Sequence, residues 1–371
     1  MHDESEDLEA EEEEGEESER TPPPPPKSLL DALARTRDDI QRARLSTENR
    51  VRAWLRVQIF AERDLHGLTD EQFTTLAKTV REPKPGKAPS NRAVNIEKMT
   101  IAELRMMFGI LLQWPTPDLS ALDDMPTVKP LLNSLALLQK DEDKIGRDIA
   151  AEITNHVVWN SWLGQVRGIG PVLAAPLLTR LSPESPHRSS WFRYCGLHCE
   201  NGDAARRMKG QKASWNSILK SHLIYRIGNS FIKSRGSYYR KHYDQFKARY
   251  EARPPVEREI GRATAWVLAE PLGGVKVGEV LKVSGKNPPH KSVAVALLAA
   301  GRTTVLVKPS KGHIHAMARR AAVKVFLGHL WEAWRTAVDL PIEPPYAIAH
   351  LHHTGYISYR EAVEEQGKKA A

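Results

Sequence analysis

A chain of 371 residues, 41% hydrophobic and 27% charged, is long enough for two or three folded units and apolar enough for a globular protein. No run approaches the ~20 apolar residues of a membrane span. The first twenty residues are acidic rather than basic and then apolar, so no secretory leader is expected and the compartment is expected to be cytoplasmic, nucleoid-associated in a prokaryote.

Those twenty residues hold twelve acidic side chains and one arginine, so the net charge of +8 understates the remainder, which carries +19. A body that basic is expected to meet a polyanion, above all nucleic acid. The acidic block has little to bury and is expected to be disordered, and "TPPPPP" extends it to residue 26 as a stiff spacer.

Residues 27–130 read as a helical region. Arginine-rich periodicity runs to about Asp64, and "TDEQ" (Thr69 to Gln72) and "TIAE" (Thr100 to Glu103) each match a capping box announcing a helix. The Pro, Gly and Lys content of "REPKPGKAPSN" between them marks a loop.

From Leu131 to Val158 the pattern is one long helix. Leu131, Leu135, Leu138, Ile145 and Ile149 form a 4-3 seam interrupted by Glu142, which predicts either a coiled-coil contact in a homo-oligomer or packing within one subunit. It leads into "QVRGIGPVLAAPLL". Two glycines one residue apart, a proline suited to a first helical turn and an apolar run predict a helix-hairpin-helix. Its free amides and helix dipole would hold a phosphate without reading bases. Gly168, Ile169, Gly170 and Val172 are the expected contacts.

Residues 186–253 carry fifteen Lys/Arg against four Asp/Glu, interleaved with aromatic rings. "AARRMKGQK" is the densest cationic loop. Arg206, Arg207, Lys209 and Lys212 head the phosphate contacts, followed by Lys220, Arg235 and Arg240. Tyr238 and Tyr239, between Arg235 and Arg240, are the rings expected to face nucleic acid. "VKVGEVLKVSGK" and "TTVLVK" then predict short strands within an insertion over 261–310. A helix resumes in 311–371, with Ala316, Ala321, Val325 and Leu330 among its apolar positions and Arg319 and Arg320 among its cations.

Only two cysteines occur, Cys195 and Cys199. Even with His198 and His222 nearby they fall short of a metal-ligand pattern, and His350, His352 and His353 are discounted in the same way. No metal site is expected. The resulting fold class is mainly α: a helical bundle with a helix-hairpin-helix, a long coiled-coil-like helix, a small β-ribbon insertion and a disordered acidic N-terminal tail. The boundaries fall at 1–26, 27–130, 131–260, 261–310 and 311–371.

The ordered series of "VRGIGPVLAA", an aromatic segment before "CGL", a basic Gly-Lys loop, "SWNSILKSHLIYRIGNSFI" and "HAMARRAAVKVFLGHLW" resembles the C-terminal half of the transposases of insertion sequence 110 and relatives 116 and 902. The resemblance covers roughly Leu131 to Val338. It implies a DNA recombinase with a metal-holding ribonuclease-H-like N-terminal domain, a C-terminal serine in a Ser-Gly pair shortly after the Gly-Leu segment, and a structured RNA as a further partner.

The chain departs from that pattern twice. Residues 27–130 lack the alternating strands of a ribonuclease-H fold, and Asn201-Gly202 stands where Ser-Gly is expected. An amide cannot replace an activated hydroxyl in attacking a phosphodiester. Ser214 is the nearest downstream serine, a displaced nucleophile or, in preference, the N-cap of the next helix. The expectation is a transposase-like DNA-binding protein without a cofactor, Mg²⁺ being required only if it cleaves. An active recombinase and an RNA-binding module are the alternatives.

Overall fold

A computed structural model describes residues 25–80, 96, 99–111, 128–200, 203–205, 210–259, 266–269, 304–344 and 358–367. The chain is mainly helical and divides into two compact units, Leu29–Ala151 and Glu152–Ala371, the latter grouped with the residues up to Ser28.

The first unit contains α1 (Leu29–Leu65), α2 (Asp70–Val80), α3 (Ile101–Leu111) and α4 (Lys129–Glu152). Both capping boxes form. Thr69 N donates to Gln72 Oε1 at 2.9 Å and Gln72 N to Thr69 Oγ1 at 3.3 Å, while Thr100 N donates to Glu103 Oε2 at 2.7 Å and Glu103 N to Thr100 Oγ1 at 3.2 Å. Each box satisfies two orphan donors and so fixes where its helix begins. Val51, Leu55 and Ile59 of α1 then close over Phe73, Ala77, Leu104, Met107 and Phe108.

The helix expected to run from 131 to 158 stops at Glu152. A 3₁₀ turn follows, and His156 takes an extended conformation (φ −93°, ψ 122°) before α5 (Val157–Ser161). The β-branched Ile153 and Thr154 and the turn-forming Asn155 favour that break, and the division between units falls beside it. The long helix therefore belongs with the first unit and not with the glycine bend. Its seam faces α1 at Glu142, which is buried; Arg37 reaches Oε1 at 2.7 Å and Arg44 reaches Oε2 at 2.6 Å.

The second unit is built on α11 (Lys311–Ala337), capped by Ser310 Oγ accepting from His313 N at 3.1 Å. Every residue from Phe326 to Arg335 is buried. Around it stand α6 (Pro171–Arg180), α7 (Arg188–Tyr194), α8 (Ser217–Ser221), α9 (Gly228–Lys233) and α10 (Tyr238–Glu251), with α12 (Glu361–Gly367) near the chain end. A π-helical turn, His222–Ile227, joins α8 to α9. Ala316, Ala321 and Val325, expected to point inward, are half-buried. The core positions are Ile314, Ala318, Ala322, Val323, Phe326 and Leu330.

Two small antiparallel sheets complete the unit. β1 (Cys199–Glu200) pairs with β2 (Asp203–Ala204), and β5 (Thr304–Pro309) lies between β3 (Val256–Glu259) and β4 (Trp266–Leu268). "TTVLVK" is thus a strand. "VKVGEVLKVSGK", the acidic tail and the histidines at 350, 352 and 353 lie outside the described residues. Among the described residues no helix is long and apolar enough to cross a membrane, and no group of three or more metal-ligating side chains occurs.

Candidate nucleic-acid interface

The "VRGIG" bend follows a short 3₁₀ turn, Leu163–Gln165, and ends where Gly170 caps α6 in an extended conformation (φ −97°, ψ 172°) with Pro171 in the first helical turn. Gly168 has φ +99°, a conformation that costs an L-residue dearly. A Cβ there would lie 3.2 Å from Ser234 Oγ and 3.3 Å from Phe231 Cδ1, and Ser230 Oγ donates to the Gly168 carbonyl at 2.6 Å. The bend is therefore docked against α9.

Gly170 is open by contrast: a Cβ added there meets nothing within 4 Å. Among the described residues nothing accepts the amide N–H of Gly170 or Val172. Ile169 is buried and Val172 half-buried, so Ile169 anchors the bend and the two free amides lie on either side of Pro171.

The turn after α9 completes the patch. Gly236 (φ +81°) lies against the Arg167 guanidinium, a Cβ on it falling 3.2 Å from Nη1. Arg167, Lys233 and Arg235 are all exposed. The first turns of α6 and α10 start within a few residues of the Gly168–Ser234 contact, so two positive helix ends flank these cations. Sequence reasoning misses Arg167 and Lys233, although "VRG" and "KSRG" place each of them within three residues of a positive-φ glycine.

The remaining cations divide sharply. Lys212 and Arg235 are exposed, while Arg206, Arg207 and Lys209 lie outside the described residues. Lys220 is committed internally, Nζ donating to the Ala205 carbonyl at 2.9 Å and standing 4.3 Å from the centre of the Trp215 ring. Arg240 pairs with Asp244 at 2.8 Å and donates to the Ile232 carbonyl.

Arg319 is 6% exposed and donates to Asn229 Oδ1 at 2.9 Å, and Arg320 donates to the His198 carbonyl at 2.6 Å. Burial lowers the pKa of Arg320, and the neighbouring Cys199 opposes the shift. Lys324 is lowered by the same desolvation and lies over Phe192. Lys220, Arg240, Arg319 and Arg320 thus hold elements together instead of forming the expected free cationic face. Local sequence gives an arginine on α11 no visible partner 90 residues away.

Tyr238 and Tyr239 are also core residues. Tyr239 is fully buried, its hydroxyl 2.9 Å from His329 Nδ1, and its ring packs against Phe231 and Phe326. Tyr225 and Tyr194, at 43% and 44%, are the exposed rings of this region.

Ser214 is exposed, and among the described residues nothing hydrogen-bonds to it. It is not the cap of α8: Asn216 is, its Oδ1 accepting from Leu219 N at 3.0 Å. Asn201-Gly202 lie outside the described residues, and the flanking strands pair Cys199 with Ala204 and Glu200 with Asp203. That two-residue spacing with Asn-Gly composition matches a tight hairpin. Cys195 is fully buried and its thiol is pushed up to about 12 by desolvation; Cys199 is exposed.

In comparisons with known proteins the chain matches no family model, no curated protein and no solved structure.

Proposed function

We propose that this chain is a transposase-like DNA-binding protein associated with transposition or recombination, which grips the sugar–phosphate backbone through a helix-hairpin-helix at residues 163–180. The supporting observation is the pairing of an unobstructed Gly170, with the free amides of Gly170 and Val172, beside three exposed cations, Arg167, Lys233 and Arg235. Amides at a helix start accept an anion, and cations around them neutralise its neighbours along the strand. None of these groups presents the directional donor–acceptor pairs that read base edges, so binding is of low sequence specificity. The resemblance set out above supplies the transposase part of the reading.

The test is duplex binding between 50 and 200 mM salt. Removing a side chain that neutralises one phosphate flattens the log K against log salt slope by about 0.9. Replacing Arg167, Lys233 and Arg235 together with Ala is expected to reduce the slope by about 2 to 3. An unchanged slope would remove the patch from the reading, and a structured RNA that outcompetes the duplex would make the chain an RNA-binding module. Adding Mg²⁺ separates binding from strand scission. A covalent protein–DNA adduct that disappears in Ser214→Ala would make it an active recombinase.

A further inference from the structure

Away from the bend, a cavity of about 390 Å³ opens between α8, the π turn and the start of α11. That volume falls within the ~300–1,000 Å³ of small-molecule sites. Its apolar wall includes Ile224, Ala316 and Met317, and its polar lining includes three cations, Lys220, Arg319 and Arg320, with no carboxylate among the described lining residues.

Arg319 is the most telling of these side chains. It is nine-tenths buried, and Gly228 makes room for its stem: a Cβ there would lie 2.8 Å from Arg319 Cγ. One arm of the guanidinium is satisfied by Asn229, but its Nε is buried without an acceptor. A desolvated donor of that kind is expensive unless something accepts from it. The same guanidinium stands 5.1 Å from the centre of the Tyr225 ring, which lines the cavity and is 43% exposed. A π turn at this point adds to the case, because such turns recur at functional sites.

We propose that this cavity binds a single nucleotide unit, its phosphate held by Arg319 and Arg320 and its base against Tyr225 and the apolar wall. Three cations without a carboxylate select an anion, and the exposed ring beside an apolar wall selects one that carries a flat group. A free nucleotide and an unstacked nucleotide of a single strand share this chemistry. None of the lining residues belongs to the glycine bend, so the site stands or falls independently of duplex binding.

Calorimetric titration of the full chain with 5′-AMP, adenosine and inorganic phosphate tests it. The mononucleotide is expected to saturate one site, with adenosine and phosphate each at least about tenfold weaker. Tyr225→Ala should weaken the mononucleotide about tenfold, consistent with removal of one stacking partner. Ser221→Glu, on an exposed lining position, should abolish binding by placing a carboxylate in the cationic lining, and thermal melts of both variants establish that they fold. Arg167→Ala, outside the cavity, should retain full affinity.

Competition by a single-stranded oligonucleotide would identify the ligand as part of a strand; saturation by 5′-AMP without competition would identify a free nucleotide. No binding at millimolar 5′-AMP, or equal binding by wild type, Tyr225→Ala and Ser221→Glu, would overturn the proposal.

Discussion

Substituting alanine at the two bend glycines separates folding from binding. At Gly168 the methyl group meets a backbone at φ +99° and contacts of 3.2 and 3.3 Å to Ser234 and Phe231. Backbone strain of about 1–3 kcal/mol adds to a modest overpacking cost, and the 2.6 Å bond from Ser230 ties the bend in place so that relaxation would sacrifice that bond too. About 2–3 kcal/mol of destabilisation is expected. For a unit of this size each kcal/mol moves Tm by about 2–4 °C, so the melt should fall by roughly 5–10 °C. At Gly170, with ordinary angles and open space, alanine should cost no more than about 1 kcal/mol as an inferior helix cap. Its methyl group would instead stand among the free amides and weaken duplex binding about tenfold or more, since hydrogen bonds to charged groups contribute about 1.5–3 kcal/mol. Differential scanning calorimetry and fluorescence anisotropy measure the two effects. Wild-type affinity in Gly170→Ala, or a melt of Gly168→Ala within a degree of wild type, would refute the reasoning.

Glu142→Gln should lower stability by about 3 kcal/mol, because it strips the buried countercharge from Arg37 and Arg44; urea midpoints measure this, and a shift below about 1 kcal/mol would mean that the arginines rehydrate freely. Thiol labelling of the native protein should show one fast group, Cys199, with Cys195 reacting only after denaturation, since its buried thiol titrates near about 12. His156 packs its ring against Trp334 at 4.9 Å, and burial lowers its pKa. The unfolded chain therefore takes up a proton more readily, and stability should fall as pH drops below about 6.5. His156→Phe should flatten the urea-midpoint profile between pH 7.5 and 5.5, and an equally steep profile would point to other groups.

Local signals were legible in the sequence, and distant partnerships were not. Thr69 with Gln72 and Thr100 with Glu103 act across three residues, so the sequence names both members of each bond. Gly168 is of the same kind: Arg-Gly-Ile-Gly-Pro announces a bend before an α-helix. Arg235 and Arg319 look equally available along the chain, yet Asn229 and Tyr225 occupy the second while the first stays exposed. Glu142 looks like a flaw in an apolar seam until α1 supplies its two arginines. Ser214 and Asn216 both suit a cap, and the choice between them depends on where the helix axis points.

The π turn at His222–Ile227 carries one residue more than an α-helix would place there. Deleting any one of those six residues would let the segment relax to ordinary pitch and swing everything downstream by about 100°. Ser230 would leave the Gly168 carbonyl, and Phe231 would leave its place among Tyr239 and Phe326. This stretch of chain thus accepts a changed side chain far more readily than a changed length, and a descendant shortened there would have to rebuild the facing surface of α11.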